Sequence, residues 1–284
     1  MKAVIDIGSN SVRLLLQSNK TEKFIKITKL AEGLNLTGKL SDVAIKRTVS
    51  AVAFFKKKAV ENNADNIYIF ATAAVRSASN GYEFVKAVKG ECNLDVDVIS
   101  GEKEAEIGLL GVLKNNDGGI IDIGGASSEI ITRINGKTVY SHSLNLGGVR
   151  ILDACGQNLD KICDVCKNAV AEYGKVPFST YYGIGGTATS IASVTLGLVK
   201  YDKKAVHGYV LKLSDVENAI TLFSSKTVEE RRNIIGLQPE RADVILGATV
   251  LLREIMLHVG IGHIIVSEDD NLDGYLLLKG GLDE

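Results

Sequence analysis

The sequence has no Trp, two Pro and four Cys among its 284 residues, and each scarcity removes a class of function. Without Trp, and with nine Tyr and seven Phe dispersed along the chain, there is no aromatic platform on which unpaired bases would stack. Net charge is also lacking: 33 Lys plus Arg stand against 34 Asp plus Glu, a formal charge of −1, so a dedicated nucleic-acid surface is not expected. Four cysteines are too few for a disulfide scaffold in a chain of this length. The longest nonpolar run of the C-terminal half, 244–252, is stopped by Arg253, well short of the ~20 residues that a membrane helix needs. Behind Met1-Lys2 the apolar stretch reaches only from Ala3 to Ile5, too short for an export signal. A cytoplasmic protein without membrane contact, its cysteines kept as thiols, is the expectation.

Glycine is abundant instead, with 29 residues. Beside so little Pro they do not belong to a Pro/Gly-rich disordered composition and must serve tight turns and close backbone approaches. A hydrophobic content of 45% fills two cores, and the length suits two domains. Short runs rich in Ile, Val and Tyr predict strands at 3–7, 12–17, 24–30, 67–71, 96–99, 119–123, 128–134, 180–184 and 263–266. Helical patterns fall at 41–62, 81–89, 102–113, 159–173, 187–197, 215–224 and 240–258. The mixture predicts an α/β fold. Asn115-Asn116-Asp117-Gly118-Gly119 reads as a linker, giving domains 1–116 and 117–284, with 272–284 as the segment that crosses back to the first. Its paired glycines also read as a hinge for domain closure.

Two copies of one pattern flank that linker. Asp6-Ile7-Gly8-Ser9-Asn10-Ser11 and Asp122-Ile123-Gly124-Gly125-Ala126-Ser127 each follow one apolar strand and lead into another, which reads as internal duplication. A glycine turn of this kind presents backbone N–H groups as a concave nest for an oxyanion, and Ser9, Asn10, Ser11, Ser127 and Ser128 can add donors. Asp6 and Asp122, at the start of the turns, are candidates to hold a hydrated Mg²⁺ beside the phosphate. The alternative is an ordinary hairpin in which Asp and Gly merely fit the turn; its occurrence twice favours phosphate.

A third cluster, Gly183-Ile184-Gly185-Gly186-Thr187, opens a helix after a strand. It suits phosphate or a flat ligand such as a nucleotide lying against the backbone, or simple strand-to-helix packing. Arg76 follows the strand at 67–71, at the end of an α/β strand where ligands gather, as a phosphate clamp or else a surface arginine. Glu102, Glu104 and Glu106 open a helix whose dipole welcomes acids without any catalytic role. Glu104 alone lies above Gly108 and Gly111, a smooth face that another domain can approach, and is the general-base candidate.

Together these motifs, with Glu240-Arg241-Ala242-Asp243-Val244-Ile245, resemble the exopolyphosphatase and guanosine pentaphosphate phosphohydrolase (Ppx/GppA) family of the acetate kinase, sugar kinase, Hsp70 and actin superfamily. The resemblance implies two ribonuclease-H-like (actin-like ATPase) domains with an interdomain active-site cleft, in the short two-domain form. It implies Glu104 as the residue that activates water, Arg76 as a phosphate contact, and Asp122 and Glu129 as acids serving Mg²⁺ and catalysis. The turns Gly8–Ser11 and Gly124–Ser127 are then the phosphate loops. Two departures stand out. Ala126 replaces a third consecutive glycine, and Ser267-Glu268-Asp269-Asp270-Asn271-Leu272-Asp273-Gly274 replaces a Ser-Asp-Gly-Gly-Leu-Arg-Glu-Gly-like segment, adding acid that would repel a polyanion if it faced the cleft.

Cys163 and Cys166, with Cys155 eight residues before Cys163, lack a fourth ligand at zinc spacing, and the pair reads as half-buried apolar residues of a helix. The expected activity is a Mg²⁺-dependent phosphoanhydride hydrolase acting on inorganic polyphosphate or guanosine pentaphosphate, with a homodimer as the candidate oligomer. The alternatives are an ATP-dependent phosphotransferase of the same superfamily and a non-catalytic nucleotide or polyphosphate sensor.

Overall fold

Residues 3–7 are apolar apart from Asp6, the pattern of a strand buried on both faces. In the computed structural model of the chain they run through the centre of a sheet. The structure describes residues 1–17 and 21–280. By its contacts the chain divides into two compact units, Met1–Gly111 with the segment from Asn271 onward, and Val112–Asp270.

In the first unit, β1 (Lys2–Ile7), β2 (Ser11–Gln17) and β3 (Glu22–Ile27) pair antiparallel in sequence order. Helices α1 (Leu34–Thr37) and α2 (Asp42–Glu61) precede β4 (Asn66–Ala71). Then come α3 (Ala73–Ser77), α4 (Gly81–Cys92), β5 (Asp97–Val98) and α5 (Gly101–Leu113). The sheet order is β3-β2-β1-β4-β5, with β4 parallel to β1 and β5 parallel to β4. Helix α2 starts where the Ser41 hydroxyl accepts the Ala44 amide at 3.2 Å, an N-cap that satisfies one of the orphan donors of a helix start. Its buried stripe of Ala44, Val49, Val52, Phe55 and Ala59 has the helical period.

The second unit repeats the plan. Strands β6 (Gly118–Ile123), β7 (Ser128–Ile134) and β8 (Lys137–Leu144) pair antiparallel. They are followed by α6 (Gly148–Cys155), α7 (Leu159–Ala169), β9 (Tyr181–Ile184), α8 (Gly185–Thr195), α9 (Lys203–Val206) and β10 (Val210–Lys212). Next are α10 (Leu213–Ser224), α11 (Val228–Arg231), α12 (Ile245–Val259) and β11 (His263–Val266). The order β10-β11-β9-β6-β7-β8, read from β8, matches that of the first unit, with β10 added antiparallel at the far edge. Each unit thus has the ribonuclease-H-like arrangement. Helix α12 is apolar nearly all round and buried from Ile245 to Leu252, as a helix inside a core must be.

Helix α13 (Asn271–Leu278) packs in the first unit. Leu272, Tyr275 and Leu276 share a core with Val4, Leu15, Phe70 and Ile107, and the Tyr275 ring stacks on Phe70 at 4.5 Å. A Cβ at Gly274 would overlap the Ile107 carbonyl and stand 3.0 Å from the Gly111 amide. The glycine-lined face of α5 therefore receives α13 of its own unit.

Several boundaries differ from the sequence reading. Strand β3 stops at Ile27 rather than 30, because the amides of Thr28, Lys29 and Ala31 turn to the first glycine loop. Gly118 and Gly119, read as part of a linker, are buried and belong to β6, where a Cβ on Gly119 would overlap the Tyr181 ring. Strands β8 and β10 and helix α6 were not expected. β8 is an edge strand with little apolar content, and the paired glycines that open α6 resemble a turn. The helix expected from 240 begins at Ile245, after a 3₁₀ turn at Pro239–Arg241. No helix among the described residues is long and apolar enough to cross a membrane.

Candidate active site

In the first unit, β1, β4 and β5 are parallel and end in register: Ile7 pairs with Ala71 and Ala71 with Val98. The segments that leave them, Gly8–Ser11, Thr72–Arg76 and Ser100–Glu104, therefore emerge at one edge of the sheet. This is how residues far apart in sequence come together. The loop closes through a bond from the Gly8 amide to the Ser11 carbonyl at 2.9 Å. The Ser9 carbonyl accepts the Ala31 amide, and the Asn10 carbonyl accepts those of Thr28 and Lys29, all at 2.9 Å. With these carbonyls committed to the protein, the turn has amides and hydroxyls to offer an anion.

Asp6 is buried and faces Arg13 across the β1–β2 pair. Its Oδ2 accepts Arg13 Nε at 3.0 Å and also Nη2, a two-pronged contact that matches charge with charge. Arg76, on α3, donates from Nη1 to the Ile99 carbonyl at 2.8 Å and to Glu104 Oε2 at 3.1 Å. Glu104 is 7% exposed. Its helix is started by Ser100, whose hydroxyl accepts the Lys103 amide at 3.2 Å. The structure thus joins the base candidate and the phosphate-clamp candidate in one ion pair.

In the second unit the same edge carries Gly124–Ser127, Gly185–Thr187 and Ser267, because Asp122 pairs with Ile184 and Gly183 with Val266. The loop closes from the Gly124 amide to the Ser127 carbonyl at 3.0 Å, the bond seen in the first unit. The first turn of α6 supplies the amides here: Gly148 to the Gly124 carbonyl at 3.0 Å, and Val149 and Arg150 to that of Gly125 at 2.8 and 3.2 Å. The approach needs Gly147, where a Cβ would lie 2.5 Å from the Gly124 oxygen. Ala126 is fully buried and is not among the residues of positive φ, so its methyl brings no backbone strain. Ser128 is fully buried, and its carbonyl and hydroxyl oxygens each lie 2.9 Å from the Tyr173 hydroxyl.

Asp122, Glu129 and Ser143 form a row across β6, β7 and β8. Glu129 stands where the first unit has Arg13, opposite the aspartate of the first strand, so a carboxylate faces a carboxylate. Glu129 is buried and accepts the Ser143 hydroxyl on Oε1 at 2.7 Å. The Asp122 carboxylate lies over the start of α8, with Oδ1 2.6 Å from where a Cβ on Gly185 would be. Gly185 has φ +74, a value that L side chains rarely adopt. The Thr187 hydroxyl donates to the Ile123 carbonyl at 3.0 Å, and the guanidinium of Arg241 covers Gly186.

The acidic segment is engaged inside each unit: Tyr201 donates to Glu268 and Lys23 pairs with Asp273. The cysteines are free. Burial pushes Cys166 up to about 12, and Cys163 accepts Arg253 Nη2 at 3.4 Å. Among the described residues no group of three or more His, Cys, Asp or Glu comes together around a metal. Arg13, Ser143 and Arg241 carried no assignment from sequence. Arg13 sits opposite Asp6 in the predicted hairpin and Arg241 within the Glu240–Ile245 motif, whereas Ser143 gave no signal.

The model of the Ppx/GppA phosphatase family matches residues 4–277. The chain is 33% identical to a bifunctional 3-dehydroquinate synthase/phosphatase of Fusobacterium nucleatum, with 98% of this chain aligned, but it spans only 46% of that protein. It is 27% identical to Exopolyphosphatase 2 of Mycobacterium tuberculosis, with 98% of each chain covered. The crystal structure of an Aquifex aeolicus Ppx/GppA protein superposes with a TM-score of 0.78 at 27% identity, covering 99% of both chains.

Proposed function

From the premise that the chain belongs to the Ppx/GppA phosphatase family, we propose that it hydrolyses phosphoanhydride bonds, releasing terminal phosphate from inorganic polyphosphate or a guanosine pentaphosphate-type nucleotide. The observation that carries this reading is the buried Glu104 carboxylate paired with Arg76 at the strand-end edge of the first sheet. A carboxylate fixed by its helix and its ion pair accepts a proton from an attacking water without first having to be ordered. Arg76 adds a positive charge for phosphoryl oxygens. Phosphoryl transfer asks for little more than positioning and charge stabilisation, and the glycine turn of the same unit, Gly8–Ser11, supplies amides for the latter. The name of the mycobacterial relative, aligned over nearly its whole length, supports the same chemistry.

Asp122 and Glu129 fit a Mg²⁺ ion. They bring two carboxylates to one place on neighbouring strands, and this ion takes one or two carboxylates, completing its shell with waters and substrate phosphates. Asp6 fits less well, because Arg13 already balances its charge. When bound, the ion neutralises charge on the phosphoryl oxygens. Ser143 orients Glu129 for that role by its hydrogen bond.

The test is phosphate release from defined-length polyphosphates and guanosine pentaphosphate with Mg²⁺, comparing wild type with Glu104→Gln. A loss of about 10²–10⁴-fold, the usual worth of a general base, is expected. A folded wild-type protein that releases phosphate from none of these substrates would sink the hydrolase reading.

A further inference from the structure

The hydrolase reading leaves a cavity of the second unit unused. Helix α12 packs against both α7 and α10, and a cavity of about 470 Å³ opens among the three, within the ~300–1,000 Å³ of sites that hold small molecules. The faces that helices turn to one another are normally apolar. Here α7 contributes Cys163, Asp164 and Lys167, α10 contributes Glu217, and α12 contributes Arg253 and Glu254.

The half-buried sulfur of Cys163 is the nucleophile of this group. Arg253 Nη2 donates to it at 3.4 Å, so positive charge stands beside the sulfur, the setting in which a cysteine attacks as its thiolate. Arg253 is itself held in place: its Nε donates to Glu254 Oε1 at 2.9 Å, and Nη2 reaches the same oxygen. Arg253 Nη1 and Glu254 Oε2 are left with no hydrogen bond among the described residues. Glu254 is only 8% exposed, and a carboxylate that deep requires partners for its oxygens. Asp164, Lys167 and Glu217 likewise make no ion pair among the described residues. Open charges of both signs around one sulfur suit a small molecule that carries an ammonium, a carboxylate and sulfur of its own.

We propose that Cys163 is a modification site, at which the disulfide of an amino-acid-type thiol exchanges with the protein to leave a mixed disulfide. Cys163 gives its proton to solvent and attacks one sulfur of the disulfide; the bond between the two ligand sulfurs breaks as the bond to Sγ forms. The other half leaves as a thiolate and takes up a proton, so one cysteine is oxidised, one ligand thiol is released and no further oxidant is needed. Lys167 and Arg253 receive the carboxylate, and Glu217 and Glu254 the ammonium. Cys155 and Cys166 are buried and take no part.

Mass spectrometry of the reduced full chain, intact and as peptides, tests this with cystine, glutathione disulfide and the uncharged bis(2-hydroxyethyl) disulfide as reagents. At least one charged disulfide should add a single group, at Cys163, and the one with the larger preference identifies a free amino acid or a peptide as the source. The rate at Cys163 with that reagent, divided by the rate with the uncharged one, should be about tenfold higher for native protein than for protein in urea, as two or three exposed ion pairs would give. Lys167→Met and Glu217→Gln, both at exposed positions, should each lower the native ratio by about two- to fivefold, the worth of one such pair. A native Cys163 untouched by both charged disulfides, a ratio equal to that in urea, or a ratio unchanged in both variants would each overturn the proposal. The readout is covalent mass, so an absence of turnover, which defeats the hydrolase reading, leaves this result legible.

Discussion

Arg76 Nη1 lies 3.1 Å from Glu104 Oε2, and the same nitrogen donates to the Ile99 carbonyl at 2.8 Å. The arginine is thus anchored to the end of β5 and the glutamate is anchored to the arginine. If Glu104 is the base, Arg76 tunes it as well as serving substrate. Arg76→Ala should lower kcat by about 10²-fold, within the range for a lost electrostatic contact. Losing a nearby cation makes a carboxylate easier to protonate, so the acid limb of the pH–rate profile should move to higher pH. An unmoved limb would show that the pair does not set the protonation of Glu104.

Ser143 donates to Glu129 Oε1 at 2.7 Å. Ser143→Ala should raise the Mg²⁺ concentration for half-maximal activity by about 10-fold, as removing a group that orients a metal ligand usually does. At saturating Mg²⁺, kcat should change far less. A Mg²⁺ titration of both proteins checks this, and equal half-saturation points would remove Asp122 and Glu129 from the metal site.

The Asp6–Arg13 pair is mostly buried, with side chains 3% and 20% exposed. Arg13→Met should leave a buried carboxylate uncompensated and cost about 3 kcal/mol, whereas Asp6→Asn with Arg13→Met should recover part of that loss. Urea unfolding of the two single variants and the double gives the coupling directly.

Gly274→Ala places a methyl against the Ile107 carbonyl, a backbone atom that cannot swing aside. Overpacking of this kind costs roughly 1–3 kcal/mol. It should also loosen α13, which limited proteolysis between 270 and 280 would detect. Wild-type resistance in the variant would mean that α5 and α13 can separate at little cost.

Burial raises the thiols of Cys155 and Cys166, the latter to about 12. Their folded-state values lie above the ordinary thiol value of 9.0, so the folded protein holds these protons longer than the unfolded chain does. The stability they contribute is fully present below about pH 9 and is lost as pH rises towards 12. Cys166→Ala should flatten part of the fall in denaturation midpoint across that window. At pH 8, alkylation of the native protein followed by mass spectrometry should label Cys163 before Cys155 or Cys166.

Much of the arrangement was legible because it is written locally. The Asp-Ile-Gly turns repeat, each between apolar strands, and an alternation of short strands and long amphipathic helices is a matter of nearest-neighbour spacing. Arg76 and Glu104 were recognisable as candidates one by one, from a strand end and a helix start. Edge strand β8 was not legible, since its residues Lys137 to Leu144 lack the apolar run that burial on both faces imposes. Ser143 was lost with it.

By itself the sequence determined the α/β class, the two glycine turns and the places where helices begin, all of which depend on φ, hydrogen bonding and periodicity within a few residues. Only the tertiary structure decided which charges meet. Glu104 pairs with Arg76 because parallel strands bring distant segments to one edge of a sheet, Asp6 meets Arg13 across the antiparallel β1–β2 pair, and Arg241 covers the Gly186 turn from the 3₁₀ turn before α12. Strand register then sets which side chains lie opposite one another, and no local signal encodes it. The same duplicated turn therefore carries a balanced ion pair in one unit and two facing carboxylates in the other. That difference came from one position, Arg13 against Glu129, whose meaning appears only once each is seen across from its aspartate.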